Sequence, residues 1–206
     1  MTHSFFKNVS RETNEAFIVY RNLLEKWNKK VNLVSPTTLS NFMIRHVLDS
    51  VQLFNYVTNK SGRWLDIGSG AGFPGIPLAI LLKSKCLNFK FSFIDSNSKK
   101  CFFLEEVCKN LNIEANIICG RIEDVDPVNC DYIVSRALAP LSDLLKFSDR
   151  HRKKSGKSLF LKGKNCDVEV SQAKLKWCFN FEIHQSLSDR EGKIVEINDY
   201  FLKVED

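Results

Sequence analysis

The chain has 206 residues, 44% hydrophobic and 11% aromatic, with a formal net charge of +6. That composition can bury one substantial core, and it excludes intrinsic disorder, in which too little apolar surface is available to offset the entropy of ordering. The longest apolar run is too short to cross a bilayer and the N-terminal MTHSFFKNVS lacks the charged start and apolar stretch of a signal peptide, so a soluble, cytoplasmic protein is expected.

Taken in chain order, the first third reads as helical. Ala16, Val19, Tyr20, Leu23, Leu24 and Trp27 recur at intervals of three and four residues, leaving Arg21, Glu25 and Lys26 on the opposite face. A second amphipathic helix is expected from about Leu39 to Val57, with Phe42, Val47, Leu48, Val51 and Phe54 near one stripe, after a turn-like connection closed by Ser35-Pro36. From residue 63 the pattern changes to short apolar strands alternating with helices. Strands are expected at Arg63–Gly68, Lys90–Asp95, Ala115–Cys119, Tyr132–Arg136 and Ser158–Lys162. The intervening helices are Gly75–Lys83, Lys99–Leu111 and Leu141–His151. A helix near Val168–Lys176 then precedes a closing pair of strands, Asn180–His184 and Lys193–Lys203. Such alternation predicts an α/β fold, a doubly wound, mostly parallel sheet covered on both faces, with one antiparallel strand at or near an edge. The expected organisation is a single domain, residues 1–206, in which a helical extension (1–60) precedes an α/β core (61–206).

Open parallel sheets bind ligands beyond the carboxyl ends of their strands, where the strand order reverses. The run WLDIGSGAGFPG, Trp64 to Gly75, follows the first strand and belongs at such a place. Gly68, Gly70, Gly72 and Gly75 allow a tight turn and a close backbone approach, although Gly-x-Gly-x-x-Gly alone is weak evidence of any particular ligand. Its neighbours are more selective. Asp66 places a carboxylate at the end of the strand, where it would repel a pyrophosphate but attract the ammonium and sulfonium of S-adenosyl-L-methionine. Pro74 deletes a backbone donor that phosphates use at a helix start. The loop therefore favours the methyl donor over a dinucleotide. Asp95, ending the second strand, can accept hydrogen bonds from both ribose hydroxyls, or cap the helix that follows, or both. After the third strand, Ile122 offers an apolar contact to the adenine and Glu123 an acceptor for its amine. Arg136, ending the fourth strand, either pairs with a surface acid or faces the donor site.

The seven cysteines form no Cys-x-x-Cys and no Cys/His pair at zinc-ligand spacing, so free thiols and no metal are expected. Charge is unevenly spread, with eight cations against one acid between Lys146 and Lys164. Clustered positive charge suits a polyanion through counterion release, and the alternative is a solvated loop that confers only solubility.

Five segments together resemble one family. HVLDS (His46–Ser50), LDIGSGAGFPGIPL (Leu65–Leu78), FIDS (Phe93–Ser96), SRALAPL (Ser135–Leu141) and LKG (Leu161–Gly163) are similar, in order, to the glucose-inhibited division protein B family, the bacterial 16S ribosomal RNA (guanine-N7) methyltransferases. The resemblance runs from about Leu23 to Lys203 and implies a Rossmann-like class I methyltransferase fold, S-adenosyl-L-methionine as cofactor, and 16S ribosomal RNA or the small ribosomal subunit as partner. It implies donor contacts at Gly68, Phe73, Ile122, Glu123 and Arg136; the position of Phe73 is often aliphatic in that family and that of Ser69 often Thr. Guanine N7 carries an in-plane lone pair, so its attack on a sulfonium methyl requires no proton to be removed first, and orientation rather than a general base would carry catalysis. No catalytic acid or base is expected. With an RNA substrate, the basic segment becomes a candidate acceptor contact through Arg152, Lys153, Lys154, Lys162 and Lys164, joined by Arg45 and His46, the latter equally readable as a structural histidine. Phe73 could stack on an RNA base. A monomer is expected. Alternatives left open are a small-molecule methyltransferase, an NAD(P)-binding oxidoreductase and a non-catalytic RNA-binding assembly factor.

Overall fold

The structure, a computed structural model, describes residues 9–59 and 61–203. The residues that carry most of the leader argument, 1–8, lie outside it, as do 60 and 204–206. Helix α1 spans Arg11–Asn28 and starts at Ser10, whose side chain accepts from the Thr13 amide, satisfying one of the donors that a helix start leaves open. Its buried face is Thr13, Phe17, Tyr20 and Leu24. Val19, expected on that stripe, is 39% exposed: the buried line runs through Thr13, Phe17, Tyr20 and Leu24, and Val19, two residues beyond Phe17, falls on the opposite face.

The single helix expected over Leu39–Val57 is not formed. A short α2 (Pro36–Leu39) ends at Ser40, and the chain re-enters a helical path as a wide π-type turn (Met43–Leu48), an α-turn (Asp49–Val51) and a 3-10 turn (Gln52–Tyr56). The apolar stripe survives, with Phe42, Val47, Leu48 and Val51 all buried, because burial fixes which side chains face inward while the pitch adjusts to the contacts made by residues 45–49.

The remaining elements are β1 (Ser61–Ile67), α3 (Gly75–Ser84), β2 (Asn88–Asp95), α4 (Ser98–Asn110), β3 (Ala115–Cys119), β4 (Cys130–Arg136), α5 (Leu141–His151), β5 (Arg152–Lys162), α6 (Cys166–Lys176), β6 (Trp177–Gln185) and β7 (Lys193–Leu202). They build a seven-stranded sheet of order β3-β2-β1-β4-β5-β7-β6. Strands β1 to β5 pair in parallel, whereas β7 runs antiparallel to both neighbours, β5 and β6. Alternation along β1 sends Trp64 to one face and Leu65 and Ile67 to the other. The first face packs Trp64, Phe91 and Phe93 against Phe17, Tyr20 and Leu24 of α1 and Phe103 of α4; the second packs Leu65, Ile133 and Phe160 against α5 and α6. The helical extension thus shares a core with the sheet, each fully buried Phe, Leu or Tyr contributing about 1.5–3 kcal/mol. Strand order reverses between β1 and β4, which opens a crevice at their carboxyl ends.

Candidate active site

The glycine turn leaves β1 at that reversal. Gly68, Gly70 and Gly72 have φ of +66°, +57° and +90°, the left-handed region where a Cβ is strained. The turn is held from beneath: Ser69 Oγ donates to the Asp66 carbonyl (2.8 Å), and Gly70 N–H donates to Asp95 Oδ2 (2.8 Å). Asp95 Oδ1 accepts from Asn97 N–H (2.8 Å), and the cap of α4 is Asn97 rather than Asp95. The capping role considered for Asp95 therefore belongs to Asn97, because two residues of extended chain separate the strand end from the helix. Beside Gly70 the space is open, for a Cβ there would find nothing nearer than the Gly68 carbonyl at 3.9 Å. A ligand can lie against this backbone.

Asp66 departs from its expected role. It is fully buried on the α3 side of the sheet, and its Oδ2 accepts from Gly75 N–H (2.9 Å), capping the start of α3 from across the turn. Burial pushes its carboxyl up to about 8, against the opposing pull of the Gly75 N–H and of Arg136. Near neutral pH the acid is mainly protonated, so neither repulsion of a pyrophosphate nor attraction of an ammonium or sulfonium by a fixed charge is available here. Its Oδ1 is buried with no partner among the described residues.

Phe73 is 3% exposed, and it is not a free stacking platform for a base. Its ring stacks on His46 at 4.3 Å and lies under the Arg136 guanidinium at 4.6 Å. Arg136 Nη2 is 2.9 Å from His46 Nδ1, so both groups tile one face of the ring. Arg136 Nη1 also donates to the Arg45 carbonyl (3.0 Å) and to Asp49 Oδ2 (3.2 Å). Asp49 Oδ1 in turn accepts from Ser188 Oγ and from Gln52 Nε2. Arginine only donates, so His46 Nδ1 is the acceptor and the proton sits on Nε2. Burial, helped by Arg136 and Arg45, holds the imidazole down at about 3, and it is neutral. The two readings of Arg136 merge: it pairs with an acid, and it does so beside the glycine turn.

The loop after β3 is arranged less simply than expected. Ile122 is 7% exposed and packs among Ile94, Leu141 and Leu145 in the second core, so its side chain is a core anchor rather than a free surface for adenine. Its carbonyl pairs with the buried His151 Nε2 (2.9 Å), and Arg150 Nε donates to the Val125 carbonyl (2.9 Å). These contacts fix the loop while Glu123 remains exposed at its surface. Sequence reasoning missed His151, whose placement follows from the end of α5.

The basic segment is dispersed. Expected to begin at Ser158, β5 starts at Arg152, and parallel pairing, with a bulge before Lys157, puts Arg152, Lys153 and Lys154 at the end of the sheet opposite the glycine turn, roughly 20–25 Å from Lys162. Lys153 pairs there with Asp131 (2.7 Å), and Arg152 stacks over Tyr200 at 3.9 Å. These three residues are not on the donor edge. Lys162 is, but its side chain is 8% exposed: it pairs with Glu169 Oε2 and donates to the Ala139 carbonyl (2.8 Å), while the same Glu169 accepts from Leu141 N–H. Lys162 clamps the turn that follows Arg136, in which Ala137 has φ +54°. Lys164 is exposed, between Gly163 and Asn165.

A cavity of about 1050 Å³ opens on this edge, lined by Arg45, His46, Asp49, Arg136 to Pro140, Lys162, Gly163 and the Ser186–Lys193 turn. Arg45, at its rim, pairs with Asp189 of that turn. The turn gave no signal in sequence, since Ser, Asp and Gly are ordinary loop residues. Glu182, His184 and Glu196 bring potential metal-ligand atoms together on β6 and β7, although Glu196 is already paired with Lys157. No described helix is long and apolar enough to cross a membrane.

Comparison with known proteins gives one answer. A family profile described as rRNA small subunit methyltransferase G matches residues 13–197. "Ribosomal RNA small subunit methyltransferase G" of Rickettsia typhi is 42% identical over 190 residues, covering 92% of this chain and 96% of that protein. Its counterpart in a Ruegeria species is 38% identical over 190 residues, with 92% of each chain covered. Among solved structures, M. jannaschii TYW2 in complex with AdoMet is similar at a TM-score of 0.58 and 15% identity, covering 85% of this chain and 80% of that one. The ribosomal protein L11 methylase of Lactobacillus delbrueckii subsp. bulgaricus has a TM-score of 0.56 at 19% identity, covering 74% and 77%. The two structures share the class I methyltransferase fold with this chain.

Proposed function

The chain belongs to the rRNA small subunit methyltransferase G family, and from that premise we propose that it transfers a methyl group from S-adenosyl-L-methionine to N7 of a guanine in 16S ribosomal RNA. It is an S-adenosylmethionine-dependent methyltransferase that acts on small-subunit ribosomal RNA. The observation that carries the finer reading is the cluster of His46, Phe73, Arg136 and Asp49, which joins the glycine turn to the wall of the large cavity. Donor and acceptor can meet across it.

The residues present fit the donor. Left-handed Gly68 and Gly70 leave open backbone beside the turn, Asp95 braces that backbone and ends within reach of a ribose, and two buried polar atoms, His46 Nε2 and Asp66 Oδ1, have no partner among the described residues. We assign the donor to Gly68, Gly70, Asp95, Arg136, Asp66 Oδ1 and the backbone of Phe73, Ile122 and Glu123. When bound, the cofactor supplies an electrophilic methyl carbon. The protein's part is alignment: the turn fixed by Asp95 and Phe73 and the Ala137–Pro140 turn clamped by Lys162 set the two sides of the crevice, and alignment of this kind can supply several kcal/mol of the barrier, up to about 7–11 in the best cases. No described residue need take a proton, since N7 bears none. Arg45 and Lys164, at the rim, are the cations we assign to RNA phosphate. The shared core of extension and sheet supports one domain, and we read the working form as a cytoplasmic, metal-free monomer.

Methylation of 30S subunits and of naked 16S RNA with labelled donor tests the reading. Label recovered as 7-methylguanine in small-subunit RNA is the expected result, and label at another base or only on a small molecule overturns it.

A further inference from the structure

His46 holds a buried hydrogen-bond donor with nothing to bond. Its side chain is 4% exposed, its Nδ1 is engaged by Arg136, and the Nε2–H that this tautomer requires has no partner among the described residues. Leaving a buried donor unmade costs about 1–3 kcal/mol, and exchanging the histidine for an apolar residue would remove that cost. Other buried polar atoms also lack partners, but this one stands between the glycine turn and the cavity, where a ligand atom can complete it.

Three features identify that atom's chemistry. The ring stacks face to face on Phe73 of the glycine turn and also lines the cavity, so the open donor lies where turn and cavity meet. Beside it, Arg136 uses both Nη1 hydrogens and one Nη2 hydrogen on Arg45, Asp49 and His46, leaving its Nε–H and a second Nη2–H. Burial first, then Arg136 and Arg45, keep the imidazole neutral, while each arginine is itself paired with an acid, Asp49 and Asp189. A neutral imidazole N–H beside spare guanidinium N–H groups matches an anionic, two-oxygen acceptor. S-adenosylmethionine carries one such group, the carboxylate of its amino-acid end.

We propose that His46 is a cofactor-binding residue whose Nε2–H donates to the donor's carboxylate, in company with Arg136. The proposal rests on the reading that the glycine turn holds the donor. It reassigns His46 from RNA contact to the methyl-donor side. The competing acceptor is O6 of the guanine base, which would also take a donor N–H.

Two probes separate these. S-adenosylhomocysteine carries the carboxylate, and 5′-methylthioadenosine keeps the nucleoside but lacks the amino-acid end. Calorimetric binding of both is compared in the wild type, in His46→Phe, which can keep the stack on Phe73, and in His46→Asn, which keeps an acceptor for Arg136 but places nothing at Nε2. Loss of a hydrogen bond to a charged group predicts a fall of about tenfold to a hundredfold in S-adenosylhomocysteine affinity for both variants. Binding of 5′-methylthioadenosine should stay as in the wild type. His46→Asn carries the comparison should the bulkier variant not fold. Unchanged S-adenosylhomocysteine affinity with slower RNA methylation overturns the proposal in favour of the base, and equal loss of both probes overturns it in favour of a purely structural histidine. A wild-type protein that binds neither probe removes the reading of the turn itself.

Discussion

Replacing Arg136 by alanine should damage two things at once, the donor site and the attachment of the helical extension. The guanidinium makes three hydrogen bonds to residues 45, 46 and 49 and covers the Phe73 ring at 4.6 Å. Its side chain is 19% exposed and that of Asp49 17%, so neither is well screened by water. Charge-assisted bonds of this kind are worth about 1.5 kcal/mol or more each, and the cation–π contact adds about 1. Against this, Asp49 keeps Ser188 and Gln52 as partners, and water can enter from the cavity. A net loss of about 3 kcal/mol follows, which for a chain of this size lowers Tm by about 6–12 °C. Amide hydrogen exchange should rise specifically across the turns of residues 43–56. Arg136→Lys should recover the pairing with Asp49 but not the forked contact to His46 and the Arg45 carbonyl, and so only part of the stability. A melting temperature and an exchange pattern equal to the wild type, with activity alone lost, would refute this account and return Arg136 to a purely catalytic-site role.

Other sites respond to different physics. Gly68→Val forces a β-branched residue into φ +66° and brings its Cβ to 2.4 Å from Leu138 Cδ1; S-adenosylhomocysteine binding should be lost while the circular dichroism spectrum persists, and retained binding would remove the turn from the site. Lys162→Met should cost about 2–3 kcal/mol and slow RNA methylation with donor affinity little changed, because it releases the Ala139 carbonyl and leaves Glu169 uncompensated; denaturant titration and single-turnover kinetics check it. Charge reversal at Lys153 and Lys154 should leave methylation rates unchanged and cost no more than about 1 kcal/mol, since both lie at the far end of β5; a marked fall in RNA methylation would bring that end of the sheet back into the acceptor surface. Asp66 sets a pH dependence. Its folded-state value near 8 exceeds the unfolded one, so the folded protein holds the extra proton between about pH 4 and 8, and stability declines as pH rises through that window. Asp66→Asn, which can still accept from Gly75 N–H, should flatten the decline; parallel Tm–pH curves for the two proteins would contradict it.

Period and punctuation made most of the fold legible. Leu141–His151 and Ala115–Cys119 coincide with their expected bounds because apolar spacing and local breakers agree there. Strand order was not legible, since it depends on long-range pairing that no local pattern encodes. The 39–57 helix failed for a related reason. Its apolar stripe was right, but the π, α and 3-10 turns fall where Arg136, about ninety residues away, bonds to Arg45, His46 and Asp49, contacts that no local pattern announces. The basic run misled in the opposite way. Lys and Arg adjacent in sequence are spread along an extended strand, so a charge count that looks like one patch becomes a far-end pair, a buried clamp and an exposed loop residue.

Three of the five segments that carry the family resemblance, HVLDS, the glycine run and SRALAPL, can be understood as one contact set rather than three. His46 and Asp49 come from the first, Phe73 from the second and Arg136 from the third, and each touches another within this cluster. A glycine turn binds many nucleotides; a histidine two residues before a leucine packs many helices. Only the guanidinium that tiles Phe73, donates to His46 Nδ1 beside it and ties both to the extension makes the turn part of a crevice with two walls. If that is the unit of selection, replacing Arg136 and His46 together should cost less donor affinity than the sum of the single losses, because each change already disables the other's hydrogen bond. A double-mutant cycle on S-adenosylhomocysteine binding measures this directly, and strict additivity would show that the motifs act independently.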